Sequence, residues 1–562
     1  MASLKKYRHG LMIVLATMLS ALAMVAMTMA APQLESIHLS YNLSNTTGAI
    51  SANPSLALSP DNEWMAVTWI EEYSSGAGNK GDVLLRATSD PDSGWGSRIT
   101  VFDGGSDACA YGHPSVEIEG STAHLAYVVF EPCQSPTGMS VYYQTCPLSG
   151  APCSNPQSVT WVDTDSNTIL EVDLALDDNA DPHVVWARYN QDGENGKIRY
   201  RAQDGNYWGS EETVSMGGEN DFPAITWAGN YVHVVWTSST SVQYRRRDTD
   251  WDTLRTLYSA LNYPPGSPDV AAAGERVFVV WDRCINYYYD ENNPCAKHGL
   301  VYRRSNDKGE SWMPNPFYGV GTDDSLWPFE EYDSTDVGDY LSSLQPALAL
   351  NRDGWPIVAW HAQREGGEIE SWPLRPSAGG DYKIYYSYAL SGTNDHVDWV
   401  ITPTILNQTQ VGMGSAVAGM GRRENGEYLH AVYMRKVSGG GAWDVYYEGF
   451  SFYPYAVIRS PGMVVVSNTT TLVTLDGSGS YDPRGISLEE YAWSLTDRPA
   501  GSTATLSSLS AVSPTISLDK LGGYTVTLQV STTQATSSLE TRAIWAYENV
   551  YHVYLPLVMR EK

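Results

Sequence analysis

Of seven equivalent positions between residues 71 and 435, six carry residue types that could bind or process a polar ligand. Each lies two residues past the end of an apolar run that closes on an aromatic, or on Val129 in the second copy. The seven are Glu71, Glu131, Arg188, Ser238, Arg283, Ala362 and Arg435. A guanidinium offers paired N–H donors to a carboxylate or a polar sugar, so Arg188, Arg283 and Arg435 are candidate ligand-binding residues. Glu71 and Glu131 are candidate catalytic groups, a general acid or base for cleaving a glycosidic bond. His113, Asp221, Asp282, His361 and Arg364 fall nearby and complete the candidate set. The competing reading is that these charges pair with one another and stiffen a charged rim. It ranks above the first, because a charged rim need not be catalytic.

Other chemistries are poorly served. There is no G-x-S-x-G elbow for a nucleophilic serine and no glycine-rich phosphate loop before a helix. The absence of a C-x-x-C pair argues against structural zinc. Asp163-Thr164-Asp165-Ser166-Asn167 and Asp177-Asp178-Asn179-Ala180-Asp181 offer oxygen ligands suited to calcium. Neither fits an EF-hand loop, so surface turns are the preferred reading and no cofactor is expected, calcium being the alternative. With 64 acidic against 35 basic residues and a net charge of −29, nucleic acid is excluded as a partner.

A repeat must position the candidate residues. In each copy a small-and-apolar strand follows a Pro or polar residue, and an apolar strand ending in an aromatic comes next. Asn53-Pro54-Ser55-Leu56-Ala57-Leu58 with Met65 to Trp69 is the first copy. His113 to Ile118 with His124 to Val129, Val172 to Leu176 with His183 to Trp186, and Phe222 to Ile225 with His233 to Trp236 follow. Pro268 to Ala271 with Phe278 to Trp281, Gln345 to Leu350 with Ile357 to Trp360, and a weaker Ser415 to Ala418 with Leu429 to Tyr433 complete the series. A third strand rich in Tyr and Arg continues each copy, and a fourth, less regular strand usually follows a Trp: Trp95, Trp208, Trp251, Trp312 or Trp399. Four short strands per unit separated by Gly/Asp/Asn turns predict an all-β, seven-bladed β-propeller, or six blades if the last copy is an appendage. Such units bury their faces only by stacking into a closed ring. The alternating segment Glu35 to Ser40 is placed to close that ring as the outer strand of the last blade. The recurrent Trp residues are assigned to packing between blades rather than to sugar stacking.

The ends and the cysteines set the compartment. Residues 1–30 read as a signal peptide, with Lys5, Lys6 and Arg8 before an apolar run from Leu11 to Met29 and cleavage after Ala30. An uncleaved anchor is the alternative; no later segment is long and apolar enough to cross a membrane. The protein is expected to be secreted or on the cell surface. Six cysteines in near pairs predict three local disulfides, Cys109–Cys133, Cys146–Cys153 and Cys284–Cys295.

Ser305-Asn306-Asp307-Lys308-Gly309-Glu310-Ser311-Trp312 matches the Ser-x-Asp-x-Gly-x-x-Trp pattern of an Asp-box, with looser copies ending at Trp95 and Trp208. Residues 31–452 therefore resemble the sialidase/BNR-repeat propellers, which implies that fold. The Arg-x-Pro motif that sialidases carry near the first blade is absent here. Residues 453–548 are similar to a PKD-type immunoglobulin-like β-sandwich, through Leu475 to Pro483, Tyr491 to Leu495 and Gly523 to Val530. The resemblance implies a spacer or a carbohydrate- or protein-contacting module. Residues 549–562 form an apolar tail ending in charges. The expected function is a propeller that recognises a glycan or protein, with the sandwich as spacer or second contact. Catalysis ranks lower and would be that of an exo-acting, sialidase-like glycoside hydrolase; a structural surface component is the third reading. No motif specifies the ligand or the oligomeric state.

Overall fold

The computed structural model describes residues 39–548 except 47–48, 62, 76–77, 92, 106, 134–136, 165–166, 191–193, 206, 260–264, 287–296, 314–339, 351–353, 365–381, 393–396, 400–403, 406–411, 424–425, 437–442, 452–453, 455, 467–469, 483–486, 533–535 and 538. The proposed signal peptide and C-terminal tail lie outside the described residues. Every regular element among the described residues is a β-strand, and none of them forms a helix long and apolar enough to cross a membrane. The chain separates into two compact units. The larger comprises Leu39–Arg422 and Tyr428–Phe450, and the smaller takes in Ser451–Lys562.

The larger unit is a succession of antiparallel meanders. Ala49–Leu58, Met65–Ser75, Gly78–Thr88 and Ile99–Phe102 pair in sequence order. Cys109–Glu119, Thr122–Glu131, Gly138–Pro147 and Gln157–Asp163 do the same, as do Asn220–Ala228, Tyr231–Ser238, Ser241–Arg247 and Arg255–Ser259. The second strand of each meander is buried on both faces, which suits its β-branched and aromatic content. His183-Val184-Val185-Trp186, for example, is buried throughout. The first strands are bulged: their register slips between Ala52 and Ser55, Tyr111 and Ser115, Asp221 and Ala224, and Leu344 and Ala347. A proline falls inside each of these slips, where its missing N–H leaves no ladder bond unmade. Asn53 and Phe222 adopt φ of 55° and 49° there.

A polar link within each meander prepares its contact with the next. His124, His183, His233 and His430 place Nδ1 2.6, 2.6, 2.7 and 2.7 Å from the hydroxyls of Tyr143, Tyr200, Tyr244 and Tyr447, one strand away. A tryptophan from the following meander stands edge-on to three of these tyrosines: Trp208 on Tyr143, Trp251 on Tyr200 and Trp312 on Tyr244. Trp95 of the first meander meets Tyr447 of the last in the same way, with ring centroids 5.0 Å apart. Edge-to-face geometry sets the positive ring edge against the negative ring face. The Ser305–Trp312 turn shows why its residue types are needed. Ser305 donates to Asp307 at 2.6 Å, Asp307 accepts from the Ser311 N–H at 2.9 Å, and Gly309 at φ +84° lies against Tyr244. A Cβ at 309 would run into the Tyr244 hydroxyl.

The two ends of the larger unit are joined. Leu39–Asn42 pairs antiparallel with Trp443–Ser451, Leu39 opposite Gly449 and Asn42 opposite Tyr446. The closing strand is thus centred later than the expected 35–40, of which 35–38 are outside the described residues. Buried Asp444 fastens it: Asn42 Nδ2 donates at 2.6 Å, Ser44 Oγ at 3.0 Å, and Thr46 through N and Oγ1 at 3.3 and 3.2 Å. Two of the expected disulfides, Cys109–Cys133 and Cys146–Cys153, are formed. Cys295 lies outside the described residues.

The smaller unit has a four-stranded sheet, ordered Met463–Val465, Glu540–Tyr547, Gly522–Ser531 and Glu490–Asp497, and a two-stranded one, Thr471–Thr474 with Thr515–Leu518. Leu475, Trp493, Ile516, Leu518, Tyr524, Val526, Leu528 and Ile544 form its core. Trp493 fills the interior as its sequence context suggests, with its indole N–H donating to the Ala511 carbonyl at 2.9 Å.

Candidate functional site

Strand register tests the alignment that defined the candidate residues. Each first strand sets one equivalent residue opposite the residue preceding the aromatic: Ser55 faces Thr68, Asp173 faces Val185, Ala224 faces Val235, Asp269 faces Val280 and Ala347 faces Ala359. In the second meander Ser115 faces Ala126, which makes Tyr127 the counterpart of Trp69, Trp186, Trp236, Trp281 and Trp360. Val129 therefore occupies the position of Glu71, and Glu131 stands two residues beyond it. The cause is that the apolar run of Thr122–Glu131 continues past its aromatic through Val128, Val129 and Phe130. The recurrent aromatics pack against the preceding meander, as Trp186 does with Val141 and Val159.

The charged candidates are engaged by neighbours. Glu71 is fully buried, and both its oxygens face Arg98 Nη1, at 3.3 and 3.1 Å. Glu131 accepts from the Tyr142 hydroxyl at 3.0 Å. Arg188 donates to Asn167 at 3.1 Å and to Glu211 at 3.1 Å. Glu211 also takes a bond from Thr160 of the preceding meander at 3.0 Å. The Arg435 guanidinium lies 4.0 Å from the Tyr446 ring centroid, a cation–π contact. Next to it the Tyr433 hydroxyl donates to buried Glu448 at 2.5 Å; burial and that carboxylate hold Tyr433 well above the ordinary phenol range. Asp282 is buried with its carboxylate against Gly266, where any Cβ would collide with it. Arg283 is half-buried and faces Gly299 in register. His361 and Arg364 face Leu344 and Tyr340 on the Pro356–Arg364 strand. Burial pushes His113 down to about 4, so it is neutral at neutral pH.

Asp221 belongs to a cluster that the aligned column did not include. The Tyr189 hydroxyl touches Asp221 Oδ1 and lies 3.1 Å from Glu171 Oε2. A phenol has one proton to donate, so two ionised carboxylates cannot both be satisfied by it. Burial drives Asp221 upward, and burial with the two carboxylates drives Tyr189 far upward.

A second acidic set sits along the first strands. Asp173 accepts from Ser115 at 2.8 Å and from the Ile225 N–H at 2.9 Å, linking three successive meanders. Asp269 accepts from the Leu348 N–H at 2.7 Å, linking two more. Removal from water pushes Asp173 to about 6 and Asp269 to about 7, while Glu117, also close to Asp173, rises to about 8. A signal for two of these was present: Asp173 and Asp269 occupy a repeat position filled elsewhere by Ser55, Ser115, Ala224 and Ala347. Glu211, Glu171 and Tyr189 gave no such signal. The described residues contain no group of three or more His, Cys, Asp or Glu side chains able to hold a metal ion.

No family model and no curated protein matches the chain. Among solved structures it is similar to the NanB sialidase of Streptococcus pneumoniae, at 10% identity and a TM-score of 0.36 over 73% of this chain and 69% of that one. It is similar to a Trypanosoma rangeli sialidase at 10% identity and a TM-score of 0.36, over 93% of this chain and 90% of that one. The polysaccharide lyase Uly1 aligns at 9% identity and a TM-score of 0.38, over 69% of this chain and 88% of that one.

Proposed function

We propose that the chain is an exported or cell-surface binding protein. In this reading the larger unit is a seven-bladed β-propeller, each meander a blade and Leu39–Asn42 the outer strand of the last. Its rim, around Arg188, Arg283 and Arg435, recognises a glycan or protein. The smaller unit is a PKD-like sandwich serving as spacer or second contact. The observation that carries the preference for binding over catalysis is the internal pairing of the charged candidates. Glu71 is tied to Arg98, Glu131 to Tyr142 and Arg188 to Glu211. A general acid must reach its substrate proton within hydrogen-bond distance, and a fully buried carboxylate locked to an arginine does not.

A second reading, an exo-acting glycosidase, draws on the Glu171–Tyr189–Asp221 cluster, where two carboxyl groups and a phenol share a proton. A glycan array combined with a fluorogenic sialoside assay separates the two. Binding without hydrolysis, weakened in an Arg283→Ala/Arg435→Ala double variant, is expected. Hydrolysis that disappears in Asp221→Asn would overturn the binding reading.

A further inference from the structure

The smaller unit carries a flat aromatic face that the propeller rim does not involve. Along Glu540–Tyr547, Ile544 and Ala546 point into the core while Trp545 and Tyr547 point outward, 50% and 39% exposed. The neighbouring strand places Met463 opposite Trp545 and Val465 opposite Tyr547, at 62% and 49% exposure. On the other side of Trp545 stands Gly523. A Cβ built on Gly523 would lie 3.3, 3.3 and 3.5 Å from Trp545 Cη2, Cζ3 and Cε3. The six-membered ring therefore lies over the glycine, with one side on the sheet and the other open to solvent. Gly523 allows that posture because it has no side chain to lift the ring.

We propose that this face binds a neutral polysaccharide, with pyranose rings stacked on Trp545 and Tyr547. This deepens the binding reading by giving the smaller unit a contact of its own, and rests on it only for the class of ligand. A pyranose has an apolar face of C–H groups and a polar rim of hydroxyls. The electron-rich face of an aromatic ring attracts the first, and Thr525 and Thr541, outward-facing beside the strip, suit the second. Met463, Val465, Gly523, Ala543, Trp545 and Tyr547 include no charged residue, in a chain of net charge −29. An acidic glycan or an anionic lipid surface would need cations that this strip lacks. The two aromatics are separated by two residues of strand, about 6.5–7 Å, comparable with the length of one sugar unit. A second copy of the chain is a poor occupant, because four exposed side chains fall far short of the ~1,600 Å² that a stable protein pair buries.

The test uses the full chain and four probes: particulate cellulose, particulate chitin, cellopentaose and chitopentaose. Co-sedimentation and titration compare the wild type with Trp545→Ala, Tyr547→Ala, Gly523→Val and the Arg283→Ala/Arg435→Ala double variant. We expect wild-type retention on at least one probe that survives about 1 M salt, where charge contacts are screened. Trp545→Ala should reduce it by about tenfold or more, as for a central aromatic anchor. Tyr547→Ala and Gly523→Val should cause smaller losses. Trp545 is half-exposed, so an unchanged calorimetric transition certifies the folded state of its variant. Retention by Trp545→Ala equal to wild type overturns the proposal. So does failure of the wild type to bind any probe, or self-association that Trp545→Ala abolishes. Loss in the arginine variant alone would instead support the rim and overturn the Trp545 face.

Discussion

The two units solve the problem of joining β-sheets in different ways. The smaller closes an apolar core between two sheets, with few buried polar contacts beyond the Trp493 indole and the Tyr524 hydroxyl. The larger joins many sheets side by side, and at successive joints a tryptophan of the next sheet rests on a tyrosine whose hydroxyl is bonded to a neutral histidine of its own sheet. Apolar contact alone is tolerant of sliding, whereas a buried hydrogen bond is directional and costly to leave unmade. Here the bond fixes, within each sheet, the tyrosine ring against which the next sheet's tryptophan packs; a single two-sheet core has less need of such a device.

The largest effect should come from the joint that occurs once. Asp444→Ala strips the acceptor from four donors on the closing segment and should cost about 3–5 kcal/mol, by analogy with breaking a buried charged network. Calorimetry should show the larger unit's transition falling while the smaller unit's holds. A common shift of both would break the comparison. Next comes Tyr244→Phe, which removes the hydroxyl from buried His233 and should cost about 1–3 kcal/mol. Tyr200→Phe should match it if the link is a true repeat.

The response to pH should separate the units further. Glu117 and Asp269 have folded values of about 8 and 7 against ordinary values of 4.5 and 3.8. The folded state therefore holds these protons more tightly, and their stabilising contribution, complete below pH 4, is lost as pH rises through 7 and 8. His124, His183 and His233 lie near 4 against 6.5, so their contribution is complete above pH 6.5 and lost as pH falls through 4. The opposing slopes offset one another between pH 4 and 6.5. The larger unit's midpoint should then decline from pH 6.5 to 8, and Glu117→Gln should flatten that decline. In the smaller unit, bonds from Ser502 and Thr503 hold Asp519 well below its ordinary 3.8. That unit should keep its midpoint from pH 6.5 to 8 and weaken only as pH falls below about 4. Parallel profiles would contradict the contrast. The smallest effect is reserved for Glu310, which pairs with Arg246 and Arg255 but is 60% exposed. Glu310→Ala should cost no more than about 1 kcal/mol, seen as a small shift in chemical denaturation.

Much of the fold was readable because the relevant signals are local. Short β-branched and aromatic runs such as His183 to Trp186 and proline-marked strand openings reflect backbone geometry within a few residues. The misplacement of Glu131 has a local cause too. Its apolar run continues past Tyr127 through Val128 and Val129, and counting from the end of an apolar run cannot detect that. The partners of the charged candidates were not readable for a different reason: Arg98, Glu211 and Tyr142 lie on other strands and loops, outside the aligned column.

The amino-acid sequence by itself determined an all-β chain, its repeating strands, two of its disulfides and the column from which Glu71, Arg188, Arg283 and Arg435 were drawn. Tertiary structure alone decided which partners outside that column those charges take, and that Asp173, Asp269, Asp221 and Tyr189 have raised proton affinities. Strand formation depends on neighbours along the chain. Proton affinity and ion pairing depend on what is brought within a few ångströms in space, and on how much water is left there.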